Sequence, residues 1–348
     1  MSAESLPTRA LGKDGPLIPA MGLGLMGMSH SYGETPSDEE RFAVLDRAVE
    51  IGATFWDTSD LYDDSQKLLA KWFKRTGKRN QIFLATKYGY VVGDSSKGVR
   101  VDSSYEYTKA ACDQCLNDLG VGHIDLFYAH NVNPDTPIEE TMRALAELKA
   151  EGKIRFIGLS TVSSATLRRA EKVVHVDATQ VDYSVVERSI EGSFGTHILS
   201  TARELGVGIV CAMPLGRGLL TNTFSSGKVL ADGADKDSRE LHMPRFQSEH
   251  RKNNMEWVKK FQVFADRKGC TVSQLGLAWL LKQGDDVFPI PGTRQIKYLE
   301  QNVAALGVVL GDEEEREMTK FLDENEISGG AVPDQFLPML YRDTKLQS

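Results

Sequence analysis

Short runs of apolar and β-branched residues recur along the chain. They lie at Ala20–Gly24, Ala53–Asp57, Ile82–Lys87, Asp125–His130, Phe156–Ser160, Ala178–Asp182, Gly208–Met213 and Val287–Pro291. Each is apolar at nearly every position rather than at alternate ones, the pattern of strands covered on both faces. Segments with helical spacing of apolar residues separate them. Asp38 to Gly52, with Phe42, Leu45, Ala48 and Val49 on one face, is the first. Tyr105 to Gly120, Pro137 to Gly152, Ser163 to Val174 and Phe194 to Gly206 follow, then Asn253 to Gly269, Ser273 to Gly284 and Gln295 to Gly307. Most end at a glycine, the usual helix stop. Alternation of strand and helix predicts an α/β fold with a parallel sheet. An open doubly wound sheet satisfies that pattern, but eight near-regular units favour a closed (β/α)8 barrel, expected here as one domain over residues 1–348. The longest gap separates the seventh and eighth strands, and its Gly-, Ser-, Asp- and Lys-rich part, Ser225 to Glu240, reads as an excursion. Asp312 opens an extra helix, with acidic residues suited to a helix N-terminus, and a tail containing Phe336, Leu337 and Leu340 follows. That tail either folds over the barrel mouth or packs on its wall.

Composition narrows the function class without identifying it. In 348 residues, 41 Lys plus Arg against 49 Asp plus Glu give a net charge of −8, which argues against a general nucleic-acid binder. No apolar run approaches a membrane span of about 20 residues, and Met1 to Lys13 lacks the apolar core of a secretory signal. Four cysteines are too few for a disulfide scaffold, so a reducing, cytoplasmic setting is expected.

Active sites of such barrels sit at the C-terminal ends of the strands. There the sequence puts Asp57, Lys87, His130 and Ser160 at the ends of the second to fifth strands, and Gln180 on the sixth. Tyr62 follows Asp57 by five residues and can fold back over the same mouth. A phenol is a poor acid at neutral pH unless a nearby ammonium stabilises its anion. Lys87 would supply that ammonium, and Asp57 the carboxylate that a buried ammonium requires. His130 can hydrogen-bond a substrate oxygen. Together they form a proton donor for a carbonyl oxygen; carbonyl reduction also needs a hydride, which implies a nicotinamide cofactor.

On these residues the chain resembles an aldo-keto reductase. The similar segments are Met21 to Ser29, Asp57 to Tyr62, Leu84-Ala85-Thr86-Lys87, Asp125 to His130, Glu151 to Ser160, Gln180 to Ser184, Pro214 to Gly218, Ile290 to Arg294, and Gln301-Asn302. Their wording and the chain length resemble microbial and fungal members more than mammalian aldose reductases. The resemblance implies Tyr62 as general acid, with Asp57, Lys87 and His130 completing a catalytic tetrad. It implies nicotinamide contacts from Ser160 and Gln180, close backbone approach to the pyrophosphate at Leu215, Gly216 and Gly218, and cofactor contacts at Gly24 and Gly292. Thr293, Arg294, Lys297, Gln301 and Asn302 would surround the adenosine end, where two cations near a ribose 2′-phosphate favour NADPH over NADH. Thr161 stands where many members carry Asn, Asn131 where Arg is frequent, and Ala212 where a tyrosine can stack on the nicotinamide. Met28, Tyr32, Tyr88 and Tyr90 are expected to line the substrate mouth, with ordinary packing as the alternative for each.

Other motifs weigh less. Gly22, Gly24 and Gly27 spell G-x-G-x-x-G, but loop rather than helix follows, against a dinucleotide-binding turn. Asp57, Asp60, Asp63 and Asp64 lack the spacing of a calcium loop, and Asp63 reads as the cap of a following helix. Cys112 and Cys115 form a lone C-x-x-C on a helix, read as ordinary packing. No metal is expected. His30 reads as a solvated loop residue, His123 as structural, and Arg217 as either a cofactor contact or a loop cap. The expected activity is NADPH-dependent reduction of an aldehyde or ketone. The alternatives are a cofactor-binding regulatory subunit with little turnover, and a biosynthetic enzyme acting on a large natural product.

Overall fold

The structure is a computed structural model that describes residues 6–29, 34–91, 100–227 and 238–347. Its central feature is a sheet of eight parallel strands. Two short strands precede it, β1 (Thr8–Ala10) and β2 (Leu17–Pro19). The sheet contains β3 (Leu23–Gly24), β4 (Phe55–Asp57) and β5 (Phe83–Tyr88). After a small antiparallel ribbon of β6 (Tyr90–Val91) and β7 (Arg100–Val101), it continues with β8 (Ile124–Ala129), β9 (Ile154–Ser160), β10 (Ala178–Asp182), β11 (Gly208–Ala212) and β12 (Val287–Pro289). Neighbours in the sheet follow chain order from β3 to β12 without reversal. A doubly wound sheet requires a reversal, so that alternative falls.

The sheet closes on itself. Gly24 bridges Gly292 in parallel, and the amides of Gly22 and Gly24 donate to the carbonyls of Pro289 (3.0 Å) and Pro291 (3.3 Å). A Cβ on Gly24 would stand 2.7 Å from the Ile290 carbonyl oxygen, and one on Gly292 2.8 Å from that of Gly24. Two glycines expected beside a cofactor are therefore also what lets the first and last strands meet.

Successive residues alternate between the barrel interior and the surrounding helices. Phe55, Ala85, Leu126, Tyr128, Ala178, Val210 and Phe288 fill the interior. Their neighbours Trp56, Leu84, Phe127, Ile157, Leu159, Ile209 and Cys211 join the larger apolar layer beneath the helices. Both layers are buried and apolar, which is why the strands read as unbroken apolar runs.

The expected helices are present as α2 (Asp38–Glu50), α4 (Tyr105–Leu119), α5 (Ile138–Ala150), α6 (Ser164–Glu171), α7 (Ile198–Leu205), α10 (Ser248–Lys268), α11 (Val272–Lys282), α12 (Ile296–Val303) and α13 (Asp312–Glu324). A short α1 (Met26–Ser29) follows β3, and α3 (Ser65–Thr76) lies between β4 and β5. Asp63 does not cap α3: Asp64 occupies the N-cap, makes no side-chain capping bond, and instead receives two hydrogen bonds from Arg41 at 2.8 and 2.9 Å. In the excursion after β11, α8 (Asn222–Ser225) and α9 (Ser238–His242) precede α10; residues 228–237 lie outside the described segments.

The apolar pattern did not place two further features. The β1–β2 hairpin sends Leu11 and Ile18 into the interior cluster at the N-terminal end of the barrel. The tail after α13 crosses the opposite end: Ser163 N–H donates to the Arg342 carbonyl (3.1 Å), and Asn131 Nδ2 to that of Met339 (3.0 Å). It therefore runs over the loops that follow β8 and β9. No helix among the described residues is long and apolar enough to cross a membrane.

Candidate active site

The inward parity of each strand delivers one polar side chain to the same mouth. Asp57 ends β4, Lys87 is the penultimate residue of β5, His130 follows β8, Ser160 ends β9 and Gln180 lies in β10. Lys87 is fully buried and Asp57 2% exposed. The Lys87 ammonium donates to Asp57 Oδ1 and to the Thr58 carbonyl (2.8 Å), and reaches the Tyr62 hydroxyl at 3.4 Å. Gln180 Nε2 donates to the other Asp57 oxygen at 2.8 Å. Burial alone would discharge Lys87, but Asp57 and Tyr62 together outweigh it and hold the lysine above its ordinary pKa. The ammonium thus stays charged in a buried site, within reach of a phenol.

His130 completes the arrangement. Its ring stands edge-on to Tyr62, with centroids 5.9 Å apart, and edge-on to Tyr90 at 5.0 Å. Nδ1 lies 3.0 Å from Ser59 Oγ. Burial, then the Lys87 charge, push the imidazole well below its usual pKa, so it serves as a neutral hydrogen-bonding group. Beneath this layer Tyr128 fills the interior, and Gly158 leaves room for it: a Cβ there would fall 2.1 Å from the Tyr128 ring.

The neighbouring turns are built differently. Ser160 is buried, with Oγ 3.2 Å from Thr161 Oγ1. Thr161 has φ 56°, a left-handed backbone that is costly for a β-branched side chain and easier for Asn. Its N–H donates to the Gln180 carbonyl at 3.0 Å, which holds it there. After β11 the chain turns through Met213 (φ 48°), Gly216 (56°), Arg217 (58°) and Gly218 (92°). A Cβ on Gly216 would approach Val186 to 2.7 Å, so that glycine serves the chain's own packing. Leu215 is half-buried against the core. Arg217 lies in this turn, its charge near Asp182 and its carbonyl accepting from Arg239 at 2.8 Å.

Barrel closure brings Gly24 beside Gly292, and Thr293 and Arg294 lead into α12. Thr293 Oγ1 accepts from the Gln295 N–H (3.1 Å), and Arg294 donates to the Glu34 carbonyl (2.8 Å). Lys297 is exposed, Gln301 half-buried and Asn302 buried. Two cationic side chains and a hydroxyl therefore collect at the N-terminal end of one helix.

Two expected mouth residues lie elsewhere. Tyr88 is fully buried, donates to or accepts from Thr108 Oγ1 at 2.6 Å, and stacks on Phe127 at 4.8 Å. Because Lys87 points inward, its neighbour must point outward. Met28 is 1% exposed and belongs to the layer beneath the helices. Tyr32 and His30 lie outside the described residues. Tyr90 does reach the mouth, beside His130, and its hydroxyl accepts from Asn131 Nδ2 at 3.2 Å. Ser59, Asp60 and Asp182 stand in or beside the mouth without having been singled out as site residues. For the first two the signal was their position between Asp57 and Tyr62; for Asp182 it was the inward parity it shares with Gln180. Cys112 and Cys115 are buried, and burial raises the Cys112 thiol to about 12, against redox use. Among the described residues no group of side chains is arranged to hold a metal ion.

A closed eight-stranded barrel with a buried lysine linking a carboxylate to a tyrosine at its C-terminal mouth defines a class of carbonyl-handling oxidoreductases. The aldo/keto reductase family profile matches residues 20–323, and the chain belongs to that family. It is 41% identical over 342 residues to an aldo-keto reductase of Schizosaccharomyces pombe named for NADP(+), covering 98% of each chain. It is 44% identical to the aldo-keto reductase str7 of Strobilurus tenacellus, covering 93% of this chain and 94% of that one. Among solved structures, a glycerol dehydrogenase from Gluconobacter oxydans superposes with a TM-score of 0.77 at 25% identity, over 93% of this chain and 97% of that one. A thermostable aldo-keto reductase in complex with the inhibitor epalrestat gives 0.72 at 25% identity, over 91% and 100%.

Proposed function

We propose that the chain, as one barrel domain in the cytoplasm, reduces an aldehyde or ketone to the alcohol with NADPH, Tyr62 being the general acid. The observation that carries this reading is the Lys87 ammonium bonded to Asp57 and 3.4 Å from the Tyr62 hydroxyl. Proton donation leaves a phenolate, and a fixed cation stabilises that product and the transition state leading to it. Asp57 keeps the cation charged and, with the Thr58 carbonyl, fixes its direction. His130, neutral and beside Tyr62, orients the carbonyl oxygen toward the phenol.

The donor set suits a nicotinamide dinucleotide. Ser160 and Gln180 offer a hydroxyl and an amide to a carboxamide, and Arg294 with Lys297 offers charge to a 2′-phosphate. The name of the S. pombe relative supports NADP(+). The cofactor, when bound, supplies the hydride. Tyr62→Phe should lower kcat by at least three orders of magnitude while leaving NADPH binding, read by fluorescence titration, within twofold of the parent. Retained turnover would sink the assignment of the acid.

Ala212 favours a second reading on substrate size. It ends β11 opposite Asp182 in register, half-buried, where a stacking tyrosine is absent. That room suits a bulky natural-product carbonyl, and product analysis with small and large carbonyls separates the two.

A further inference from the structure

We propose that Asp60 is a positioning residue that sets, through the Ser59 hydroxyl, which nitrogen of His130 carries the proton. The inference rests on the carbonyl-reductase reading of the site.

Ser59 Oγ sits at a junction. It lies 3.2 Å from Asp60 Oδ1 and 3.0 Å from His130 Nδ1, it accepts from the Leu61 N–H at 3.1 Å, and the Lys87 carbonyl stands 3.4 Å away as a longer, weaker acceptor. A serine hydroxyl has one proton and two lone pairs. The Leu61 amide uses one lone pair; donation to the Lys87 carbonyl, which already accepts the Asp60 N–H at 3.1 Å, would leave the Asp60 carboxylate without the hydroxyl, so two arrangements satisfy both Asp60 and His130. With Asp60 ionised, Ser59 donates to the carboxylate and accepts from His130 Nδ1–H. Nε2 is then bare, and it can only accept. With Asp60 protonated, the carboxyl donates to Ser59, Ser59 donates to His130 Nδ1, and Nε2 carries the proton. Only this second state gives the substrate oxygen a hydrogen-bond donor. His130 Nε2 has no partner among the described residues, so it remains for the substrate.

Asp60 is placed to change state in the useful range. It is partly buried after β4, and its N–H is tied to the Lys87 carbonyl at 3.1 Å. Burial raises its carboxyl to about 7, against the pull of Ser59, Lys87 and the Leu61 amide. The ionisable groups that face it are Lys87 and Tyr88 from β5, and Tyr107, Cys115 and Asp118 from α4. Lys87 is the one cation among them; Asp118 adds to the upward push. Tyr88 and Cys115 are themselves pushed upward by burial, so neither titrates in the neutral range. His130 does not titrate there either, since burial and Lys87 keep it neutral. The proton that leaves Asp60 goes to solvent, and the imidazole exchanges one neutral tautomer for the other.

The test reads the tautomer directly. Nitrogen-15 spectra of the histidine ring, with His130 assigned by its loss in His130→Phe, are recorded at pH 5.5 and 8.5 on the intact chain. The expected result is Nε2–H at the lower pH and Nδ1–H at the higher, with Asp60→Asn and Ser59→Ala each abolishing the change. A single tautomer at both pH values, or a change that persists in Asp60→Asn, overturns the proposal. If Asp60→Asn does not fold, Ser59→Ala decides by the same criterion. In parallel, kcat/KM for carbonyl reduction should fall roughly tenfold between pH 6 and 8.5 in the parent, and this step should vanish in Asp60→Asn. A step retained in that variant also overturns it. A chain that shows the tautomer change but reduces no carbonyl refutes the proposed function and leaves this inference standing.

Discussion

The two halves of the mouth hold their residues by opposite means. On the acid–base side, Asp57, Lys87 and His130 come from the ends of adjacent strands; Lys87 and Gln180 bond Asp57, and Ser59 bonds His130, within a buried interior. On the side read as the cofactor site, the residues come from turns: Thr161, Met213 and Arg217 sit in left-handed backbone, and Lys297 is exposed at the start of a helix. Strand ends fix a side chain to the geometry of the whole barrel, whereas turns fix a backbone at the cost of local strain. Proton transfer needs the first kind of precision. A long, charged cofactor is suited by the second, because backbone amides and mobile cations can follow its shape.

Breaking the strand side should have the largest effect. Lys87→Met leaves the Asp57 carboxylate buried, with Gln180 as its one remaining side-chain donor among the described residues. It should cost about 3–5 kcal/mol in denaturant unfolding, the range for removing one partner of a buried pair, and also abolish turnover. A variant as stable as the parent would mean that the pair is solvated and the contrast between the two sides is false. On the turn side, Arg294→Ala should weaken NADPH by about tenfold, near 1.4 kcal/mol, and NADH by much less. Equal losses in fluorescence titrations would remove Arg294 from the 2′-phosphate. The smallest expected effect sharpens the comparison: Thr161→Asn replaces a β-branched residue at φ 56° by one that tolerates that backbone. It should raise stability by about 1 kcal/mol. No gain in melting temperature would show that the turn is not strained by its threonine.

The strand side was also the more legible in sequence. The apolar runs located the strand ends, and the three ionisable residues found there are the ones the barrel gathers. Period two could have gone further: once Lys87 is placed inward, Tyr88 must face α4, and its assignment to the mouth was an error of parity. Met28 failed for a different reason, since four residues of α1 carry no periodic signal. The tail illustrates a third limit. Its apolar residues suited a lid or a wall equally, and tertiary bonds such as those from Ser163 to Arg342 and from Asn131 to Met339 place it over the loops after β8 and β9.

The sequence by itself determined the alternation of strand and helix, the residue types at each strand end, and hence the class of chemistry. Those are local properties, written in the periodicity of burial along one element. The tertiary structure alone decided that Gly24 meets Gly292, that Gln180 holds the second oxygen of Asp57, and that Ser59 stands between Asp60 and the ring of His130. Each depends on sheet curvature and strand register, which bring together groups up to 268 positions apart in the numbering of the chain. No pattern within a single strand or helix carries that distance.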